Sequence, residues 1–105
     1  MDKPIAILTG ASTGIGRSLA LKLSSKYFIY LISRNKQNLN KTKELIDMQN
    51  NDCQIIVSDI SKTNSLDEIY SQIDNKDRIE LLVNNAGIGV LKVFLIQQLK
   101  IGIIL

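Results

Sequence analysis

Short apolar runs alternate with amphipathic segments along most of the chain. Four apolar runs predict strands at residues 4–8, 27–32, 54–58 and 79–83, and the first two suit buried strands. Between them, three sets of residues share a helical face: Ile15, Leu19, Ala20 and Leu23; Leu39, Thr42, Leu45, Ile46 and Gln49; and Leu66, Ile69, Tyr70 and Ile73. Alternating strands and helices are typical of right-handed βαβ units, so the pattern predicts an α/β fold with a parallel sheet.

Polar residues beside these segments predict where the helices begin and end. Asn35 suits the N-cap of the second helix, because its side chain can accept a hydrogen bond from a free backbone N–H. The polar cluster at 50–52 ends that helix. Ser65 and Glu68 have the spacing of a capping box for the third helix, and Ser61 is a competing cap.

Composition and charge limit the classes of protein. A chain of 105 residues, 45% hydrophobic and 22% charged, is long enough for one globular domain and too short for two. The net charge of +3 is spread along the chain without a basic stripe, which argues against a nucleic-acid partner. No apolar run reaches the roughly 18 residues that a membrane span requires, so we expect no membrane insertion.

The cysteine and histidine content excludes several kinds of active site and metal site. The single Cys53 cannot form an internal disulfide, and the chain contains no histidine. A Ser-His-Asp triad is therefore excluded, and a zinc site would lack its usual ligands, so we expect no metal. The N-terminal residues 1–4 carry no signal-peptide pattern. Together these features predict a reducing, cytoplasmic setting.

A glycine-rich turn follows the first predicted strand. Gly10, Gly14 and Gly16 are spaced G-x-x-x-G-x-G, with Thr9 in front, and an amphipathic helix follows. Glycine lets a ligand approach the backbone closely, and a helix start offers free N–H groups and a positive dipole end to an anion. The order of strand, turn and helix favours a phosphate-binding turn; an ordinary strand-to-helix connection is the alternative.

Three motifs, taken in order, resemble one enzyme family. They are Thr9-Gly10-x-x-x-Gly14-x-Gly16, Asp59 after the third strand, and Asn84-Asn85-Ala86-Gly87 after the fourth. Together they resemble the short-chain dehydrogenases/reductases over residues 4 to about 92. The resemblance implies a Rossmann-type parallel sheet with helices on both faces, in an oxidoreductase that holds NAD or NADP for hydride transfer to or from a carbonyl or an alcohol.

The resemblance also implies which residues would surround the dinucleotide. The pyrophosphate site would be shaped and lined by residues of the turn, namely Thr9, Gly10, Ser12, Gly14, Ile15 and Gly16. The adenine would meet Asp59 and Ile60, and the ribose would lie along Asn85, Ala86 and Gly87. Without the family, Asp59 would be a helix-entry cap, and the two asparagines at 84–85 would be turn residues.

The end of the second strand favours NADP over NAD. An acidic residue about 20 positions after the glycines would bind the ribose 2′-hydroxyl of NAD, but Ser33 and Arg34 stand there. A guanidinium pairs bidentately with a 2′-phosphate, and no carboxylate is present to repel it. Arg17, near the start of the first helix, offers a second positive charge. The alternative is that Arg34 is a solvated loop cation.

The catalytic residues of the family are absent from these 105 residues. The family places a Ser and a Tyr-x-x-x-Lys motif beyond the Asn-Ala-Gly segment, and the Tyr acts as general acid/base. No tyrosine here has a Lys four positions on, since the pairs are Tyr27 with Leu31, Tyr30 with Arg34, and Tyr70 with Asp74. We therefore predict no catalytic residue in this chain and no turnover by the chain alone.

Residues 93–105 are mostly apolar, whereas the family has a more polar, amphipathic helix there. We expect a truncated member: a single partial Rossmann domain over 1–105, with about four strands, a family-like part at 4–92 and a divergent tail at 93–105. In strand order 3-2-1-4, the fourth strand would have an open edge. Either the tail covers that edge, as a strand or an apolar helix, or the chain associates with itself or a partner chain. The alternatives to a cofactor-binding half are an inactive nucleotide-binding module and a non-functional truncated gene product.

Overall fold

The chain folds as strands and helices in alternation. The computed structural model describes residues 3–10, 14–59, 62, 65–84 and 102–104. Its elements are β1 (Ile5–Thr9), α1 (Gly14–Leu23), β2 (Phe28–Ser33), α2 (Lys36–Met48), β3 (Cys53–Val57), α3 (Ser65–Gln72), a 3-10 turn (Lys76–Arg78), β4 (Ile79–Asn84) and β5 (Gly102–Ile104). The predicted alternation is confirmed, and each of the four predicted strands lies within one residue of its expected bounds.

The described strands form one parallel sheet in the order β3-β2-β1-β4-β5. β1 is central, and its Ile7 pairs with Tyr30 of β2 on one side and with Leu82 of β4 on the other. Runs of Ile, Leu and Val suit these positions, because strands of a parallel sheet are covered on both faces. The architecture is a partial Rossmann-like α/β fold, as the sequence predicts.

Helices pack on both faces of the sheet. On one face, α1 and α2 bury Ala20, Leu39 and Ile46 against the strands. On the other face lie Ile69 of α3 and Ile73 just after it, each 1% exposed. Burying an aliphatic side chain of this size contributes roughly 1.5–3 kcal/mol, so these two layers are the main source of stability.

Two residues predicted on buried helix faces are exposed, so that part of the prediction is wrong. The side chain of Ile15 is 73% exposed, and Gln49 is exposed as the C-cap residue of α2. In α1 the buried positions are instead Gly16 and Ala20, one turn apart. Because Gly16 has no side chain, the backbone of the first turn of α1 is itself buried at this position. Ile15, one position before Gly16, points outward.

The predicted cap of α2 is confirmed. Asn35 has an extended backbone, and its side chain accepts a hydrogen bond from the Asn38 backbone N–H at 3.0 Å. The polar residues at 50–52 follow the end of α2, also as predicted. Ser65 is already the first residue of α3, so the N-cap position precedes it. That position lies, with Ser61, outside the described residues.

The apolar tail contributes a strand at the outer edge of β4. Residues 81–83 pair in parallel with residues 102–104, in the register Leu81 with Gly102 and Val83 with Ile104. Of the two coverings predicted for this edge, a strand or an apolar helix, the strand is the one found. The tail therefore brings the sheet to five strands.

Candidate functional site

The carboxyl ends of the strands bring the predicted site residues to one edge of the sheet. Thr9, the last residue of β1, pairs with Ile32 of β2 and with Asn84 of β4. Ser33 ends β2 and pairs with Val57 at the end of β3. β2 and β3 lie on one side of β1, and β4 and β5 lie on the other, so the strand order reverses between β1 and β4. Open α/β sheets bind ligands beside the carboxyl ends of the strands at such a reversal point.

The glycine turn has the backbone conformation that its sequence predicts. Gly10 has φ +68° and its N–H donates to the Ile32 carbonyl at 3.0 Å, which fixes the start of the turn against β2. Gly14 opens α1 with φ +57°. A Cβ built on Gly14 would meet no heavy atom of the described residues within 4 Å. Among the described residues, none therefore fills the space next to Gly14 at the amino end of α1. Residues 11–13, including Ser12, lie outside the described part of the chain.

The first turn of α1 suits a negatively charged ligand. It contains no acidic residue, so nothing there opposes the positive end of the helix dipole. Gly16 is buried, whereas the large apolar side chain of Ile15 is exposed at the helix start. An exposed isoleucine at a helix start is suited to cover part of a bound molecule.

The turn between β2 and α2 presents one cation to solvent. The Ser33 hydroxyl accepts a hydrogen bond from the Asn35 backbone N–H at 3.2 Å, and Asn35 in turn caps α2. Arg34 lies between them and is exposed. Within the described part of the chain, no hydrogen bond or ion pair engages the Arg34 guanidinium. The turn is thus held by its polar neighbours, and the arginine is available to a ligand.

Asp59 follows β3 at the same edge. Its carbonyl accepts a hydrogen bond from the Lys62 backbone N–H at 3.0 Å, which fits a tight turn at this point. A cleft of about 240 Å³ adjoins it, lined by Val57, Ser58, Asp59, Lys62, Glu68 and Gln72. The other residues predicted around the adenine and ribose, Ile60, Asn85, Ala86 and Gly87, lie outside the described residues.

The family model described as short chain dehydrogenase matches residues 4–101. The chain belongs to this family. An uncharacterized oxidoreductase of Staphylococcus epidermidis is 38% identical over 89 residues, which cover 83% of this chain and 37% of the relative. The NADPH-dependent reductase BacG of Bacillus subtilis is 36% identical over 89 residues, covering 81% of this chain and 34% of the relative.

A solved structure of the same family has a similar fold. A metagenomic short-chain oxidoreductase in complex with NADP superposes with a TM-score of 0.74 at 29% identity, covering 81% of this chain and 39% of that protein. The chain spans about a third of the length of the curated relatives it matches. In the described part of the chain, no helix is long and apolar enough to cross a membrane.

Arg17 has partners that sequence reasoning missed. Its Nε donates to the Thr42 hydroxyl at 2.9 Å, and its Nη2 donates to the Asn38 carbonyl at 3.1 Å. The guanidinium predicted as a second charge for the phosphate therefore contacts α2. The signal available in the sequence was Thr42, a hydroxyl on an otherwise apolar helix face, because a buried hydroxyl requires a hydrogen-bond partner.

A larger cleft lies at the opposite edge of the sheet, beside the amino ends of the strands. It has a volume of about 300 Å³ and is lined by Lys3, Ile5, Phe28, Tyr30, Asp52, Gln54, Asp74, Asn75 and Arg78. Its polar groups bond to the protein itself: Arg78 donates to the Lys3 carbonyl, Lys3 Nζ to the Ser24 carbonyl, and the Asp74 N–H to the Tyr30 hydroxyl. These bonds tie separate elements together, which favours a structural role.

Proposed function

We propose that this chain holds the NADP(H)-binding part of an oxidoreductase that transfers hydride between the cofactor and a carbonyl or alcohol substrate. The observation that carries the proposal is the turn from β1 to α1. There Gly10 and Gly14 both have positive φ, and space is open beside Gly14 at the helix start. Backbone N–H groups around such a space bind a pyrophosphate.

The remaining contacts are those that the resemblance to the family implies. Ser12 and Ile15 would line the pyrophosphate, Asp59 and Ile60 would meet the adenine, and residues 85–87 would lie along the ribose. When bound, the nicotinamide supplies the centre that accepts or donates hydride. The part played by this chain is to hold the adenosine and pyrophosphate in place, since that binding energy positions the reactive ring.

The preference for NADP(H) over NAD(H) rests on Arg34. It is exposed at the end of β2, and the turn of Ser33, Arg34 and Asn35 contains no carboxylate. A charge-assisted hydrogen bond from a guanidinium to a phosphate contributes about 1.5–3 kcal/mol, which corresponds to roughly 10–100-fold in affinity. The NADPH-dependent relative and the NADP-bound structural neighbour support this preference.

We further propose that a polypeptide of these 105 residues binds the cofactor without turnover. The Ser and the Tyr-x-x-x-Lys motif of the family do not occur in it. General acid/base assistance of that kind typically contributes about 10²–10⁴-fold to the rate. The second candidate function, an inactive nucleotide-binding module, is favoured by the same observation, because these 105 residues contain the glycine turn but neither the Ser nor the Tyr-x-x-x-Lys motif.

A titration with NADPH and with NADH tests the proposal. We expect NADPH to bind more tightly, and Arg34→Ala to weaken NADPH by about tenfold or more while leaving NADH nearly unchanged. Lys22→Ala is the matched control, because Lys22 is an exposed cation in the last turn of α1, far from the glycine turn. Equal affinities for the two nucleotides in the unmodified chain would refute the NADP preference, and no binding of either would refute the function.

A further inference from the structure

Arg17 joins the two helices whose amino ends flank the proposed nucleotide site. It lies in the first turns of α1, after the glycines, and is half-buried. Its two hydrogen bonds reach α2 at the Thr42 hydroxyl, 2.9 Å away, and at the Asn38 carbonyl, 3.1 Å away. Because the two donors come from different nitrogens of one planar group, the contact fixes direction as well as distance.

Thr42 completes the contact from the α2 side. Its residue is fully buried, and its hydroxyl donates to the Asn38 carbonyl at 3.2 Å while accepting from Arg17. The hydroxyl therefore uses both its donor and its acceptor capacity inside the protein. Removing the Thr42 hydroxyl would take one hydrogen bond from the half-buried Arg17, and removing Arg17 would leave the buried hydroxyl with only its bond to Asn38, so the pair is energetically coupled.

From Asn38 a chain of hydrogen bonds continues to the turn that carries Arg34. The Asn38 backbone N–H donates to the Asn35 side chain at 3.0 Å, and the Asn35 backbone N–H donates to the Ser33 hydroxyl at 3.2 Å. Arg34 is the residue enclosed by this last bond. The start of α1 and the turn after β2 are thus connected through successive hydrogen bonds, in addition to the pairing of their strands.

We propose that the Arg17–Thr42 contact positions the β2–α2 turn against the amino end of α1, and so sets the selectivity for a 2′-phosphorylated nucleotide. This inference rests on the proposed function. In this arrangement α1 holds the pyrophosphate of the nucleotide, and Arg34 on the turn holds the 2′-phosphate on its adenosine ribose. A fixed separation between α1 and Arg34 lets one nucleotide contact both of them. If the Arg34 guanidinium were displaced, it would lose its bidentate contact with the phosphate. Arg17 is a positioning residue in this arrangement, not a phosphate ligand.

The test compares the affinities of ADP-ribose and of its 2′-phosphate in four variants of the full chain. Arg17→Met and Thr42→Val each remove the contact, and Thr42→Ser keeps the hydroxyl. Lys43→Met is the matched control: Lys43 is another half-buried cation, and its Nζ contacts the Cys53 carbonyl at 3.3 Å without touching the start of α2. We expect Arg17→Met and Thr42→Val to reduce the preference for the 2′-phosphate by about fivefold or more, a range typical of coupling between sites. Thr42→Ser and Lys43→Met should retain it.

The outcomes separate positioning from direct contact. If Arg17→Met lowers the preference but Thr42→Val does not, Arg17 touches the phosphate itself, and the positioning role is wrong. If both variants weaken the two nucleotides equally, the contact serves stability alone, and the proposal is again wrong. If Thr42→Val does not fold, Arg17→Lys replaces it, because lysine keeps the positive charge but cannot donate from two nitrogens of one planar group. If Arg17→Lys then retained the preference for the 2′-phosphate, the proposal would be wrong. Failure of the unmodified chain to bind either nucleotide would overturn the proposed function, and the role of the contact with it.

Discussion

Replacing Gly14 by alanine separates the backbone requirement of the glycine turn from its role in binding. Gly14 has φ +57°, a conformation that costs an L-residue roughly 1–2 kcal/mol. Alanine also restricts the unfolded chain, which offsets roughly 0.4–1 kcal/mol of that strain. A steric clash adds nothing, because a Cβ at this position would meet no heavy atom of the described residues within 4 Å. The net loss of unfolding free energy is therefore about 1 kcal/mol, which corresponds to a fall of roughly 4–8 °C in Tm for a domain of this size.

The effect on binding should be larger than the effect on stability. The added methyl group would occupy the open space at the start of α1, where the pyrophosphate is proposed to lie, so we expect NADPH to bind at least about tenfold more weakly. Thermal unfolding followed by circular dichroism gives the first quantity, and a fluorescence titration gives the second.

A matched control exists at the other edge of the sheet. Asn75 also has positive φ, +54°, and it precedes the 3-10 turn before β4. Asn75→Ala should lower stability by a similar amount and leave NADPH affinity unchanged, because alanine tolerates this conformation less well than asparagine. A Gly14→Ala chain that binds NADPH as tightly as the unmodified chain would refute the location of the pyrophosphate. A Gly14→Ala chain that is as stable as the unmodified chain would refute the claim that the backbone conformation at Gly14 is strained for alanine.

Two further predictions concern the edges of the sheet. Burial raises the pKa of the Cys53 thiol to about 11, so the native state keeps this proton longer than the unfolded chain does. The corresponding contribution to the free energy of unfolding, at most about 3 kcal/mol, should be complete below pH 9 and lost as the pH rises toward 11. A Cys53→Val chain, measured in parallel by urea unfolding, should lack this contribution. Identical pH profiles of the two chains would contradict the assignment. Deleting residues 93–105 uncovers the outer edge of β4, and the shortened chain should then self-associate in light scattering, whereas a clean monomer would refute the exposed-edge argument.

The order of elements could be predicted from the sequence because each carries its own periodicity. The continuous apolar runs of β1 and β2 identified buried strands, and Asn35 marked the start of α2 through its capping chemistry. Gly10 and Gly14 adopt positive φ values, which glycine permits because it has no Cβ. Where local chemistry decided the outcome, sequence reasoning was sufficient.

Contacts between distant elements were harder to predict. Ile15 fits a helical stripe, but burial of Gly16 against the sheet places it outside that stripe, and no local pattern contains this information. The partners of Arg17 depend on how α1 and α2 pack, which is a tertiary property. The sequence does not decide between a strand and a helix for the apolar tail, because periodicity does not separate the two in a short apolar run. The pairing of residues 102–104 with β4 decides it.

The central position of β1 has a consequence for how this protein is synthesised. Its pairing with β2 joins neighbouring stretches of chain, but its pairing with β4 joins Ile5 to Ile79 and Thr9 to Asn84. At a synthesis rate of about 5–20 residues per second, β4 follows β1 out of the ribosome after roughly 4–15 s. During that interval one side of β1, whose five residues are all buried in the folded protein, is without its partner, and long-range pairing of this kind is slow to form. The nascent chain, rather than the finished fold, is therefore where we expect the greatest need for a chaperone.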